Sequence, residues 1–193
     1  MSVTVGVLAL QGDFARHIDA LKRLRISAHA IRWPEELEQC QGLILPGGES
    51  TTFVNLLEKT GLAETIVHFA SAHPVMGTCA GLITLAATLV NQSMKTLGLI
   101  DLKVERNAYG RQIDSFMEPV DIPVFENPVF EGVFIRAPKI RSMGAEVEAL
   151  GFHHDDVVMA RNERILVCTF HPELTRDTRV HRYFIEDMVL SRS

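Results

Sequence analysis

The chain has 193 residues, 47% of them hydrophobic and 22% charged, with a formal net charge of −5. That length and balance suit one globular domain with a substantial core, expected to span 1–193, and exclude disordered and fibrous classes. An acidic total without any run of Lys and Arg supplies no field for a polyanion, so nucleic acid is not an expected partner.

Residues 3–10, rich in Val and Leu and closed by Gln11-Gly12, predict a buried strand running into a turn. Asp13 is placed to cap a helix in which Phe14, Ile18, Leu21 and Leu24 recur at helical spacing, with Arg16, Lys22, Arg23 and Arg25 opposite. His17 is assigned to the solvated face of that helix. Residues 28–32 predict a short strand, Pro34 opens a short acidic helix, and "GLILPGG" predicts a strand ending in a glycine turn. "ESTTFVNLLEK" and "AETIVHFASA" have a helical period; "PVMGT" reads as the next strand and "AGLITLAATLV" as the next helix. Alternation of this kind predicts an α/β fold with a mostly parallel sheet and helices on both faces. From Leu97 onward the style changes, and "LGLIDLKVERN", "SFMEPVDIPVF", "GVFIRAP", "EVEALGF", "DVVMARN" and "ILVCTFHPE" predict strands in antiparallel pairs, closed by a helix over "RVHRYFIEDMVL".

The longest apolar stretch, 74–90, is shorter than a bilayer span and has no charged anchors, so no membrane association is expected. The N-terminus lacks the basic region and cleavage site of a secretory signal, which makes the expected location cytoplasmic. Cys40, Cys79 and Cys168 cannot all pair and lack CxxC spacing, so neither disulfides nor a metal site is expected.

Three segments carry chemistry. In "GTCAG", Cys79 stands at a strand end directly before a helix, where a strained elbow projects a nucleophile and helix N–H groups favour thiolate. The N–H of Ala80 can there face a developing oxyanion. Glycines also flank cysteines that are buried only for packing, and this motif alone leaves both readings open. In "VCTFHPEL", His171 ends an apolar run, and Glu173, two residues on, is spaced to orient its imidazole. The pair His153-His154 beside Asp155 and Asp156 is a weaker alternative base. In "LPGGESTT", two glycines after a strand let backbone amides approach a ligand, and Ser50 or Thr51 is placed to cap the next helix. A phosphate-binding P-loop is excluded because the terminal Lys-Ser/Thr is missing.

Together with "GVLALQGDFARHI", "VERNAYGRQIDSF" and "FIRAP", these segments resemble the class I, triad-type glutamine amidotransferases over nearly the whole chain. Within that class the similarity is to the glutaminase subunits of pyridoxal 5'-phosphate synthases. The resemblance implies a flavodoxin-like three-layer sandwich, and a glutaminase that releases ammonia from L-glutamine through a cysteine thioester without a cofactor. It also implies a hetero-oligomeric complex with a synthase subunit that consumes the ammonia. By the same resemblance Cys79 is the nucleophile, His171 the base and Glu173 its orienting acid. Gly48, Glu49, Ser50, Arg106, Ile135 and Arg136 are glutamine contacts, and Gly48 and Ala80 serve the oxyanion. Gln11 falls near the oxyanion site and the partner face. The chain departs from the family at Ala9, often glycine, and at Tyr109, commonly phenylalanine. Three alternatives remain open at this point: another ammonia-delivering glutaminase, a non-catalytic scaffold on the same fold, and a cysteine peptidase on a similar sheet.

Overall fold

A computed structural model describes residues 3–108 and 115–192; Tyr109 lies outside them. The strands are β1 (Thr4–Leu8), β2 (Ser27–Ile31), β3 (Gly42–Leu45), β4 (Val75–Thr78), β5 (Ala86–Leu89), β6 (Ile100–Glu105), β7 (Ser115–Asp121), β8 (Val129–Ile135), β9 (Lys139–Met143), β10 (Glu148–His153), β11 (Asp156–Arg161) and β12 (Ile165–Cys168). Nine of them form one sheet in the order β2-β1-β3-β4-β12-β11-β10-β7-β8, while β5, β6 and β9 form a small second sheet.

Alternation of apolar side chains along the central strands builds a core on each face. Leu43, Leu45, Val75, Ile165 and Val167 enter one apolar cluster, and Ile44, Met76, Leu166 and Cys168 enter the other. Helices α2 (Ser50–Thr60) and α3 (Leu62–Ala70) cover the first face with Phe53, Leu57, Leu62 and Ile66. Helix α1 (Phe14–Arg23) and the C-terminal helix cover the second with Leu21, Val180, Phe184 and Met188. Each such side chain, once buried, contributes about 1.5–3 kcal/mol of transfer free energy.

Three expectations are corrected. The large sheet is mixed rather than mostly parallel: β2, β1, β3, β4 and β12 run parallel, the antiparallel strands expected of the second half, β11, β10, β7 and β8, continue the same sheet, and β12, expected among them, instead lies parallel to β4. The links around β11 are too short for the crossover helices that parallel pairing requires, so these strands turn back on one another. The segment after Cys79 is a six-residue helix, α4 (Ala80–Leu85), that gives way to β5 instead of running on to Val90. The closing helix forms, but its α-helical part, α5 (Arg179–Tyr183), passes into a π-helical stretch over Phe184–Val189. The wider turn keeps Phe184, Ile185, Met188 and Val189 all buried.

Candidate active site

Cys79 occupies the corner between β4 and α4 with φ 49° and ψ −102°, a conformation costly for a residue with a side chain. Its backbone N–H donates to the Cys168 carbonyl at 2.9 Å, and its carbonyl accepts from Ile83 at 3.1 Å, so β12 and α4 hold it there. Close packing demands the flanking glycines. A Cβ on Gly81 would lie 2.1 Å from the Leu45 carbonyl oxygen, and one on Gly77 would lie 2.7 Å from the backbone of Gly81. Because α4 has only six residues, the corner geometry rather than a long helix dipole defines this environment.

His171 follows the end of β12, and its backbone N–H donates to Val133 of β8 at 2.8 Å. Its Nδ1 lies 2.7 Å from Glu173 Oε1, and both side chains are buried. Glu173 thus meets the ring from a 3-10 turn over Pro172–Leu174, not from the extended backbone expected from its spacing, and Nε2 is the nitrogen left for chemistry. The Cys79 thiol donates to the Ile135 carbonyl at 3.8 Å. Nε2 of His171 is thus buried without a hydrogen-bond partner, although it lies within electrostatic reach of the sulfur. Burial opposes charge on His171, but Cys79 and Glu173 outweigh it and push the imidazole up to about 10. Burial likewise opposes charge on Glu173, yet His17 and His171 hold its carboxyl well below the usual carboxylate range. Cys40 and Cys168 are buried, and burial pushes both thiols up, away from nucleophilic use.

A cavity of about 280 Å³ opens in front of the sulfur, lined in part by Gly48, Glu49, Ser50, Cys79, Arg106, Ile135, Arg136 and His171. The structure thus gathers the predicted contacts around one cavity, with Glu173 behind His171. Ala80 is fully buried as the first residue of α4, and its side chain does not line the cavity. Gly48 has φ 151° and packs beneath the Gln11 side chain, whose amide donates to the Glu49 carbonyl at 3.1 Å and accepts from the Glu49 N–H at 3.3 Å. Arg136 also has a positive φ, 42°.

The cap of α2 differs from expectation. Glu49, not Ser50 or Thr51, is the capping side chain: its two oxygens accept from the N–H groups of Thr51 at 3.0 Å and Thr52 at 2.7 Å. Hydrogen bonds from Thr52, then from Thr51, hold its carboxyl down to about 2. Arg106 Nη2 stands 3.4 Å from the same carboxylate. The carboxylate assigned to a substrate ammonium thus also finishes a helix and meets an arginine.

His17 is not solvated. It is fully buried, with Nε2 3.4 Å from Glu173 Oε2 and Nδ1 2.9 Å from Nε2 of the fully buried His181. A signal for this lay in the sequence, since Phe14, His17, Ile18 and Leu21 fall at i, i+3, i+4 and i+7, a single helical stripe. The alternative base is displaced. His153 is buried against Phe116 and Phe134 at the end of β10, His154 turns toward β11 with φ 51°, and neither lines the cavity.

The sequence profile of the SNO glutamine amidotransferase family matches residues 7–190. The chain is 46% identical to the pyridoxal 5'-phosphate synthase subunit PdxT of Thermosipho africanus, covering 94% of this chain and 96% of that one. It is 47% identical to the protein of the same name from Oenococcus oeni, covering 96% and 97%. A solved glutamine amidotransferase superposes with a TM-score of 0.90 at 46% identity, over 94% of this chain and 97% of that one. The solved glutamine amidotransferase of Thermotoga maritima shares the fold, with a TM-score of 0.62 at 15% identity over 97% and 82%.

Proposed function

The chain belongs to the SNO glutamine amidotransferase family, and on that premise we propose that it hydrolyses L-glutamine to L-glutamate and ammonia as the glutaminase subunit of a pyridoxal 5'-phosphate synthase. The observation that carries the reading is Cys79 at a strained corner, sharing one cavity with His171, whose ring is fixed by Glu173. In this reading the Cys79 thiolate attacks the side-chain amide carbon of glutamine, and His171 carries the thiol proton from Nε2 to the leaving ammonia. Water then cleaves the thioester, with His171 as base. Arg106 and Arg136 serve the substrate carboxylate, Glu49 its ammonium, and Ser50 and the Ile135 carbonyl line the rest. Backbone amides at Gly48 and Ala80 receive the oxyanion.

Free ammonia in neutral water becomes ammonium and is lost to amination, which is the physical reason for coupling the site to a synthase subunit in a hetero-oligomeric complex. The names of the relatives at 46–47% identity support that partner. Gln11, clamped on the Glu49 backbone beside Gly48, offers a route by which docking resets the oxyanion turn. We also take residues 1–193 as a single amidotransferase domain of flavodoxin-like, three-layer form, supported by the order of its five parallel strands. Three cysteines that are all unpaired support a cytoplasmic setting.

The test is glutamate production by the purified chain alone and in the presence of a saturating concentration of the synthase partner. One absent oxyanion donor costs about a hundredfold to a thousandfold in turnover, so the partner should raise the rate by an amount of that order. Equal rates with complex formation confirmed would refute activation, and no glutamate in either reaction would refute the glutaminase.

A further inference from the structure

Behind the Cys79, His171 and Glu173 constellation lies a second row of polar groups that the proposed chemistry does not use. Glu173 turns one oxygen to His171 at 2.7 Å. The other, Oε2, is buried without a hydrogen bond of good geometry and faces His17 Nε2 at 3.4 Å. Thr78 Oγ1, at the end of β4, stands 3.3 Å from the same nitrogen. On its far side His17 meets His181 nitrogen to nitrogen at 2.9 Å. All four residues are buried.

Elementary hydrogen-bond rules fix where the protons sit. Two imidazolium rings cannot share a nitrogen-to-nitrogen bond, because one nitrogen must accept. If His17 donated from Nδ1, its Nε2 lone pair would point at the Glu173 carboxylate, and the donor left on His181 would be Nδ1, which has no hydrogen-bond partner. Buried N–H groups without a partner are rarer than buried acceptors without one. The other arrangement meets both demands: His181 donates from Nε2 to His17 Nδ1, and His17 donates from Nε2 toward Glu173 Oε2. Burial lowers both histidines, in keeping with neutral rings. The charged groups that act on the pair are Glu173, His171, Asp13 and Arg23.

We propose that His17 is a positioning residue for glutamine hydrolysis: held by His181, it aims its Nε2–H at Glu173 Oε2 and so keeps Oε1 on His171. The consequence is orientational. A carboxylate pinned through one oxygen only is free to rotate about its terminal torsion, and the imidazole it orients follows. Two pinned oxygens hold His171 Nε2 toward Cys79 throughout the cycle, while His17, being neutral, adds no positive charge beside the imidazolium that forms. Placing His17 on α1 and His181 on α5 also ties the two helices that cover this face of the sheet to the catalytic row.

This inference rests on the reading of Cys79, His171 and Glu173 as a catalytic unit, and the experiment separates the two. In the complex with the synthase partner, His17→Leu should lower kcat about tenfold to a hundredfold, the scale of a small misplacement of a catalytic group. KM for glutamine should stay within about twofold. His17→Gln, which carries an amide N–H near the place of Nε2, should restore most of the loss. In a Glu173→Gln background His17→Leu should cost little more, because the carboxylate it positions is gone. A folded His17→Leu with kcat within about twofold of the parent, or losses that multiply independently in the double variant, would overturn the inference and leave the catalytic reading standing. An undiminished kcat in Glu173→Gln alone would overturn both. Should His17→Leu fail to fold, nitrogen-15 histidine spectra of the unaltered chain at pH 7 decide the matter. A neutral Nε2–H tautomer for both His17 and His181 supports the arrangement; an Nδ1–H tautomer or a cation at His17 overturns it.

Discussion

In the proposed chemistry Cys79 combines the nucleophile's role with a strained backbone, and two substitutions separate these properties. Cys79→Ala should abolish glutamate production while leaving stability near that of the parent, since alanine keeps the same unfavourable φ of 49°. Cys79→Gly should be equally inactive but more stable than Cys79→Ala by about 1 kcal/mol, the scale of strain stored at such positions. Urea midpoints of the two variants check this, and a less stable Cys79→Gly would remove strain from the account. His171→Asn should lower turnover about a hundredfold or more, and Glu173→Gln should cost less, as assays of the complex would register. Both groups were legible in the sequence because a strand end followed by a polar residue places that residue at the sheet's rim, where sites form. His17 was not. Arg16 beside it and Lys22, Arg23 and Arg25 further along drew it to the solvated face, and a polar residue in an apolar stripe is recognised only when its buried partner, here Glu173 some 150 positions away, is already known.

Helix α2 shows how one carboxylate serves two elements. Glu49 accepts from two N–H groups of the first turn and faces Arg106 across the cavity. Glu49→Ala should destabilise the chain by about 1 kcal/mol, the usual worth of an N-cap, and should also raise KM for glutamine, because the acid proposed for the substrate ammonium is lost and Arg106 keeps only its hydrogen bond to Gln92. The sign of the pH dependence follows from the carboxyl being held down to about 2 from an ordinary value of 4.5. The cap's contribution is fully present above about pH 4.5 and is lost as pH falls toward about 2. Denaturant titrations of parent and Glu49→Gln at pH 7 and pH 3 should therefore differ less at the lower pH. The sequence disclosed that a cap was needed after "LPGG" but named Ser50 or Thr51, since these residue types dominate the position statistically. Only the path of the backbone, with Glu49 itself extended, makes the longer acid the one that reaches. The end of α4 at Leu85 was equally hidden, for "AGLITLAATLV" is apolar throughout and periodicity cannot tell a buried helix from a buried strand.

At the scale of the molecule, local pattern disclosed four of the five parallel strands, grouped the fifth, β12, with the antiparallel ones, and withheld the order of the rest. Strands such as "GLIL" and "ILVC" must be covered on both faces because both faces are apolar, which implies helices above and below. That β7 lies beside β10, in contrast, depends on contacts between segments about 30 residues apart that no local period encodes. The same long-range assembly concentrates titratable groups beneath α1 and α5 on one face of the sheet, and they predict a maximum in stability near neutral pH. His171 is raised to about 10 in the folded chain from 6.5. The folded state therefore binds the extra proton between those values, its contribution is complete below about pH 6.5, and stability declines as pH rises toward 10. His181 is lowered to about 3 and His17 is lowered too, burial being the first cause in each. Between pH 6.5 and about 3 the unfolded chain binds protons that the folded chain refuses at His181, so stability falls as the solution is acidified. Each proton of difference gives a slope of about 1.4 kcal/mol per pH unit. Chemical denaturation from pH 5 to pH 9 should trace this dome. His171→Asn should flatten its alkaline side, and His181→Phe, which removes the buried imidazole while keeping a ring, should flatten the stretch from pH 6.5 to pH 5. A dome unchanged in His181→Phe would mean that His181 is not what makes this fold sensitive to mild acid, and that His17 or carboxylates held low in the fold, such as Glu49 and Glu173, carry the effect instead.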